Sequence, residues 1–178
     1  MPLVNRQHLH FGENKVQEAF EKWPKIKQDY KDIKLHMIGR LQTNKVKFAI
    51  PLFDYIHSLD SLKLAKKIYE EQNKIKKSLK IFIQVNIGNE DQKSGINEEY
   101  LEEFYNKCIS EFNLDIVGLM CLPPNNSDSS DYFLKMKDLA KKHNLKELSM
   151  GMSNDYLEAV KHGATFVRVG SAIFGNRS

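Results

Sequence analysis

Two short runs near the C-terminal end combine glycine with serine where a predicted strand gives way to a predicted helix. The first is Ser149-Met150-Gly151-Met152-Ser153, and the second is Gly170-Ser171. Glycine lets the backbone approach a ligand closely, and a serine hydroxyl can cap a helix or bind an anion. Helix N-termini add unpaired N–H groups and the positive end of the helix dipole. The two turns therefore predict a site for an anion such as phosphate.

An arginine lies within the apolar run Thr165–Val169 that leads into the second turn. Arg168 is one of only four arginines among the 27 basic residues, the others being Arg6, Arg40 and Arg177. A chain that otherwise uses lysine places here a planar donor that is always charged, and we expect that charge to serve function. A buried ion pair that only stabilises the core is the alternative.

Several polar residues at other predicted strands are weaker candidates. His36 and His57 lie on neighbouring strands, and no carboxylate stands at a spacing typical of an acid–base pair or a metal site. We therefore expect these histidines to make structural hydrogen bonds in preference to catalysis or metal binding. Asn14 and residues 42–45 follow strand ends, where barrel enzymes place their site residues, and loop capping explains them equally well.

These residues need a scaffold, and strand-like and helix-like segments alternate along the whole chain. This alternation is typical of an α/β fold with a parallel sheet, here a (β/α)8 TIM-type barrel. The last two strand-to-helix turns of such barrels often bind phosphate. The sequence predicts seven units, one short of a closed barrel, with two exposed edge strands. The predicted strands are His8–Phe11, Leu35–Ile38, Tyr55–Ser58, Ile81–Ile87, Asp115–Met120, the run that ends at residues 149–153, and Thr165–Val169.

Within these units, proline is expected to end two helices, Lys15–Lys22 before Trp23-Pro24 and Asn44–Ile50 before Pro51. In the fourth strand, Gln84 and Asn86 share one face and form a polar row that a barrel site could use. The alternative is an amphipathic edge strand whose polar face has no functional role.

Length and composition limit the remaining possibilities. A chain of 178 residues with 41% hydrophobic content predicts one domain, residues 1–178. The net charge of +4 gives a weak case for nucleic acid. Cys108 and Cys121 have no metal-ligand spacing and are expected to be reduced core thiols. No apolar run approaches the ~18 residues of a membrane span, so we expect a soluble, cytoplasmic protein.

The chain resembles the pyridoxal phosphate homeostasis proteins. The resemblance extends from about His8 to the end, and its motifs follow in the same order at compatible spacing. The motifs are Phe11-Gly12-Glu13-Asn14, His36-Met37-Ile38-Gly39 with Leu41-Gln42-Thr43-Asn44-Lys45, Lys93-Ser94-Gly95, Gly118-Leu119-Met120, Ser149-Met150-Gly151-Met152-Ser153, and Val167-Arg168-Val169-Gly170-Ser171-Ala172-Ile173-Phe174-Gly175.

The resemblance implies a barrel like the N-terminal domain of alanine racemase that binds pyridoxal 5′-phosphate and buffers or delivers it without catalysis. Ser153, Gly170 and Ser171 would hold the phosphate, and Arg168 would face the pyridine nitrogen. The cofactor-binding residues implied are Asn14, His36, Ile38, Ser149, Gly151, Met152, Ser153, Arg168, Gly170 and Ser171.

One expected feature of that family has no counterpart here. Its members carry a lysine on the first barrel strand that forms a Schiff base, and this chain is expected to begin after that point, so binding is predicted to be non-covalent or impaired. Lys45 and Lys93 belong to other motifs. Either the chain is a fragment of a full-length protein or was read from a wrong start position, or it is a truncated paralogue that holds the cofactor through its phosphate.

Two other functions stay open. One is an alanine-racemase-like or other phosphate-ester barrel enzyme that uses pyridoxal phosphate. The other is an interaction module whose open edge strands pair with another chain. A monomer is expected, with an edge-strand dimer as the alternative.

Overall fold

A computed structural model describes residues 3–90, 92–124 and 128–175, and strands alternate with helices through those ranges. The strands are β1 (His10–Glu13), β2 (Lys34–Met37), β3 (Tyr55–Leu59), β4 (Lys80–Val85), β5 (Ile116–Cys121), β6 (Glu147–Met152) and β7 (Phe166–Arg168). The α-helices are α1 (Val16–Asp29), α2 (Val46–Leu52), α3 (Leu62–Ile75), α4 (Glu98–Ser110), α5 (Ser130–Lys142), α6 (Tyr156–Lys161) and α7 (Ser171–Phe174). Short 3-10 helices cover Val4–Arg6 and Thr43–Lys45.

Each strand pairs in parallel with the next strand in sequence, so the sheet has the order β1-β2-β3-β4-β5-β6-β7. The sheet curves into a nearly closed barrel, because the ring centroids of His10 in β1 and Phe166 in β7 lie only 5.8 Å apart. Within the described residues β1 and β7 do not pair with each other. The predicted α/β barrel is confirmed, with seven strands where a closed barrel of this type has eight.

The main core lies between the sheet and the helices around it. Ile81 and Ile83 of β4 are fully buried, and they belong to one apolar cluster with Leu101 and Phe104 of α4. This layer sets the direction of the alternate residues, which point into the barrel. In the part of the chain that the structure describes, none of the helices is both long and apolar enough to cross a membrane.

Helix α1 continues through Pro24, so the prediction that Trp23-Pro24 ends the helix is wrong. Trp23 is only 2% exposed and donates its indole N–H to Glu13 Oε1 at 2.6 Å, which ties the helix to the end of β1. Proline removes one helical hydrogen bond. Pro24 lies on the exposed face, where water can reach the carbonyl group that loses this bond. We attribute the continuation of the helix to the Trp23 anchor.

Helix α2 likewise includes the proline that was expected to stop it. A 3-10 turn over Thr43–Lys45 leads directly into the helix, and Pro51 lies in the last helical turn. The helix then closes with a hydrogen bond from Phe53 N–H to the carbonyl oxygen of Ala49 at 2.9 Å. A proline this close to the helix end leaves the preceding turns intact, which explains the error of two residues at that boundary.

The polar residues Gln84 and Asn86 are buried, and they bind a loop instead of lining an open site. Gln84 donates from Nε2 to the carbonyl oxygen of Ser94 at 3.0 Å. Asn86 donates from Nδ2 to the carbonyl oxygen of Glu90 at 3.0 Å and accepts the Glu90 N–H at 3.2 Å. Two of the residues expected near a barrel site therefore fix the path of the β4–α4 connection.

Strands β5 and β6 lie close together at Gly118. Gly118 pairs in register with Glu147, and a Cβ on Gly118 would overlap the carbonyl oxygen of Glu147. Only glycine fits this position without a shift of β6, the strand that carries Ser149.

We predict that Gly118→Ala lowers the free energy of unfolding by about 1–3 kcal/mol, because the added methyl group forces two paired strands apart. Gly170→Ala is the matched control for stability, since nothing lies within 4 Å of a Cβ at that position and its φ is −119°. Urea unfolding followed by circular dichroism measures both variants. Equal stability of the two variants would contradict the close approach at Gly118.

We also predict that Glu13→Ala lowers the free energy of unfolding by about 1–3 kcal/mol, since the buried indole N–H of Trp23 would lose its acceptor. Trp23 is the only tryptophan, so its fluorescence reports directly on the site. The control is Glu21→Ala, where an exposed carboxylate loses a contact with Gln17. A Glu13→Ala protein as stable as the control would show that the indole bond does not anchor α1.

Candidate functional site

Parallel strands bring their C-terminal ends to one end of the barrel, and most of the candidate residues lie at or near that end. Arg168 is the last residue of β7, Ser149 lies within β6, and His36 is the third residue of β2. His57 is the middle residue of β3. The curvature of the sheet brings these four side chains together inside the barrel.

Three histidines, a serine and an arginine form one continuous chain of hydrogen bonds across the barrel interior. His10 Nδ1 lies 2.9 Å from His36 Nε2, and His36 Nδ1 lies 2.9 Å from His57 Nε2. His57 Nδ1 lies 2.8 Å from Ser149 Oγ, and Arg168 Nη1 donates to the same oxygen at 2.8 Å. The expectation that His36 and His57 make structural hydrogen bonds agrees with these contacts.

Aromatic rings hold the two buried imidazoles in place. The ring of His36 stacks on Tyr55 with centroids 4.1 Å apart and planes 10° apart. The ring of His57 stacks on Phe82 at 4.2 Å and 19°. Phe166 of β7 packs against both imidazoles, with centroid distances of 5.3 Å and 5.9 Å. The stacking leaves the ring nitrogens little freedom to leave the chain of hydrogen bonds.

The two buried histidines are neutral at physiological pH. Burial, with a smaller effect of His10, lowers the pKa of His36 to about 3. Burial also lowers the pKa of His57 well below its usual value, and the neighbouring His36 and Arg168 act in the same direction. Both shifts disfavour the imidazolium form, so each ring has one N–H donor and one bare nitrogen acceptor.

Arg168 is half-buried, and its hydrogen-bond partners are neutral. Nη1 donates to Ser149 Oγ and Nη2 donates to the carbonyl oxygen of Cys121, each at 2.8 Å. Within the described residues it forms no ion pair with a carboxylate, which leaves the ion-pair alternative without support. Burial lowers the pKa of Arg168, yet a guanidinium keeps its charge in proteins. A positive charge with unused N–H donors therefore lies inside the barrel mouth.

The end of β6 depends on glycine at position 151. Gly151 has φ +90°, and a Cβ there would lie 2.6 Å from the Cβ of Ala159 in α6. The Met152 N–H donates to Asp155 Oδ1 at 2.7 Å, and α6 begins at Tyr156. The helix therefore begins only after Asp155 has closed a turn of its own.

The two glycine–serine turns contact each other. The Gly170 N–H donates to Ser153 Oγ at 3.4 Å, a long bond that joins the turn after β6 to the turn after β7. Gly170 and Ser171 are exposed at the start of α7, and among the described residues other than its chain neighbours no atom lies within 4 Å of a Cβ position on Gly170. Met152 is also exposed. The turns leave open space beside backbone N–H groups and a hydroxyl.

The remaining candidates, Asn14 and Ile38, follow the neighbouring strands β1 and β2. Gly39 packs so closely on the backbone of Asn14 that a Cβ would overlap its carbonyl oxygen. Ile38 is half-buried, with its side chain over Gly12. The two residues therefore lie close together, just beyond the ends of β1 and β2.

Reasoning from the sequence missed four participants: His10, Tyr55, Phe82 and Phe166. The alternation of strand residues could have indicated Tyr55, which must share the inward face of β3 with His57. His10 and Phe166 meet only because the first and last strands come together, and no local pattern carries that information. The Cys121 carbonyl acceptor is a backbone group and has no side-chain signal at all.

The sequence model of the family described as "Alanine racemase, N-terminal domain" matches residues 2–178. The pyridoxal phosphate homeostasis protein of Aquifex aeolicus is 40% identical over 176 residues, which cover 94% of this chain and 76% of that protein.

Two solved structures of PipY from Synechococcus elongatus also match. The structure without PLP has a TM-score of 0.88 at 34% identity and covers 97% of this chain and 84% of PipY. The structure with PLP bound has a TM-score of 0.85 at 32% identity, and the match covers 97% of this chain and 87% of the PipY chain. The chain therefore belongs to the pyridoxal phosphate homeostasis protein family, with the fold of the alanine racemase N-terminal domain.

Proposed function

We propose that this chain binds pyridoxal 5′-phosphate and takes part in the homeostasis of that cofactor as a non-catalytic carrier or buffer. The observation that carries the proposal is the joined pair of turns, linked from Gly170 to Ser153, next to the half-buried Arg168. The proposal is supported by the names of the relatives and by the PipY structure with PLP bound. The chain would act as one domain, as a monomer in the cytoplasm, without nucleic acid as a partner.

The residues of the two turns fit a phosphate group. Ser153 offers a hydroxyl, and Gly170 and Ser171 offer backbone N–H groups at the start of α7. The bond between Gly170 and Ser153 is long at 3.4 Å, so an anion could replace it with shorter, charge-assisted bonds. Ser149, Gly151 and Met152 would shape the first turn, the glycine through its φ of +90°.

Arg168 fits the nitrogen of the pyridine ring. A guanidinium has five N–H donors and no acceptor, and within the described part of the chain two of these donors are used, by Ser149 and Cys121. Bound pyridoxal phosphate supplies an aldehyde and an electron-withdrawing pyridine ring. Because Arg168 donates without giving up its proton, it would keep the ring nitrogen unprotonated and the ring a weak electron sink. Asn14, His36 and Ile38 would line the side of the ring.

The side chains around the ring offer little for catalysis. Burial raises the pKa of the Cys121 thiol to about 12, so this thiol is no nucleophile at neutral pH. His57 and Ser149 are 2.8 Å apart, as a base and a nucleophile would be, but Ser149 is fully buried and no substrate can reach its hydroxyl. These observations favour the carrier over a racemase-like enzyme.

Binding is proposed to be non-covalent. Lys93 and Lys45 are the lysines within motifs of the family, and Lys93 forms an ion pair with Glu90 at 2.5 Å and donates to the carbonyl oxygen of Pro123 at 3.3 Å. Lys45 ends the 3-10 turn that leads into α2. Neither lysine is proposed to react with the aldehyde.

Equilibrium titration with pyridoxal 5′-phosphate tests the two halves of the site separately. We expect Arg168→Ala and Ser153→Ala each to weaken binding by about 10-fold or more, since each removes a hydrogen bond to a charged or partly charged group. The matched controls are Arg6→Ala and Ser110→Ala, both on the surface away from the turns. Saturable binding that survives both site substitutions would contradict the proposed site.

Intact-mass measurement after borohydride reduction tests the absence of a covalent bond. We expect no stoichiometric lysine adduct, although the unreduced protein binds the cofactor saturably. A single modified lysine at one equivalent would overturn non-covalent binding. Exchange of the Cα proton of alanine in D₂O, measured by NMR, would instead favour the racemase-like enzyme.

A further inference from the structure

The five side chains of the buried hydrogen-bond chain differ in what they can donate. Arg168 can only donate, and a neutral imidazole donates through one nitrogen and accepts through the other. A serine hydroxyl has one hydrogen and two lone pairs. The direction of every bond in the chain therefore depends on where the hydrogen of Ser149 points.

The surroundings of Ser149 decide that direction. Its side chain is fully buried, and its Oγ contacts Arg168 Nη1 and His57 Nδ1 as its only side-chain hydrogen-bond partners within the described residues. Since Arg168 cannot accept, His57 Nδ1 is the one acceptor left for the hydroxyl hydrogen. The opposite direction would bury an unsatisfied O–H, which costs about 1–3 kcal/mol.

The direction then propagates along the chain. His57 accepts at Nδ1, so its proton is on Nε2 and is donated to His36 Nδ1. His36 is then protonated at Nε2 and donates to His10 Nδ1. His10 is exposed, and its own Nε2–H can reach water. The hydroxyl of Ser149 and both ring nitrogens of His57 and His36 are then satisfied, with all bonds running from Arg168 towards the gap between β7 and β1.

We infer that His57 and His36 are positioning residues for Arg168. They fix the hydroxyl of Ser149 so that its lone pairs face the guanidinium, and the Cys121 carbonyl fixes the other end of the same group. The stacked rings of Phe82 and Tyr55 in turn fix the imidazoles. This inference rests on the proposed function, in which Arg168 faces the nitrogen of the cofactor ring, and assigns the orientation of that arginine to two histidines that reach it only through Ser149.

Nitrogen NMR tests the direction of the bonds without any cofactor. Long-range ¹H–¹⁵N correlation spectra distinguish Nδ1–H, Nε2–H and imidazolium forms of each histidine. We expect His57 and His36 both as neutral Nε2–H tautomers between pH 6 and pH 8. An Nδ1–H tautomer or an imidazolium at His57 would overturn the inference.

Substitutions at His57 test the positioning itself. In His57→Leu the serine loses its acceptor, and we expect faster rotation of the Arg168 guanidinium, seen in its ¹⁵Nη signals, and cofactor binding about 10-fold weaker. His57→Asn retains an amide oxygen near the position of Nδ1 and should keep both properties close to wild type. The control is His143→Leu at the end of α5, outside the chain of hydrogen bonds.

The outcomes separate this inference from the proposed function. If Arg168→Ala weakens cofactor binding while His57→Leu leaves binding and guanidinium rotation unchanged, the positioning role is wrong and the proposed function stands. If Arg168→Ala leaves binding unchanged, the proposed function fails, and the tautomers and the guanidinium rotation still decide the inference. Should His57→Leu not fold, the wild-type tautomers and the Asn variant decide it.

Discussion

The structure depends most on one buried hydroxyl, that of Ser149, which lies between a donor-only arginine and a neutral imidazole. Ser149 comes from β6, His57 from β3 and Arg168 from β7, so the hydroxyl joins strands on opposite sides of the barrel. A hydrogen-bond chain of this kind is stabilising only when every member is satisfied. The low pKa values of His36 and His57 are consistent with that requirement, because a charged imidazole would leave the chain with a surplus donor.

The backbone prepares this arrangement at a few positions where no side chain fits. Gly118 lets β5 approach β6, and Gly151 turns the chain away from β6 into the loop that carries Ser153. The second turn then meets the first at Gly170. The proposed phosphate site and the chain of hydrogen bonds are therefore consecutive parts of the same strands, with Ser149 inside the barrel and Ser153 at its end.

Much of this could be predicted from residue types and spacing, and the reasons for the failures are physical. The alternation of strands and helices predicted the barrel. The two turns stood out because glycine and serine recur at consecutive strand-to-helix junctions, and Arg168 because arginine is rare in this chain. The chain of hydrogen bonds could not be predicted, since Ser149 and His57 are 92 residues apart and meet only because the sheet curves into a barrel. The predicted end of α1 before Pro24 was wrong because the buried Trp23 anchors the helix, and this tertiary contact outweighs the tendency of proline to end a helix. Gln84 and Asn86 were predicted to form a polar row; both are buried, yet they bind a loop, which alternation alone does not reveal.

The most direct test of the account is a crystal structure of this chain with pyridoxal 5′-phosphate at saturating concentration. The account predicts the phosphate between Ser153 and the N–H groups of Gly170 and Ser171, and the ring nitrogen about 3 Å from an Arg168 nitrogen. The contacts of Arg168 with Ser149 Oγ and the Cys121 carbonyl oxygen should be retained. A cofactor bound elsewhere, or an Arg168 that leaves Ser149 to bind the phosphate, would contradict the account.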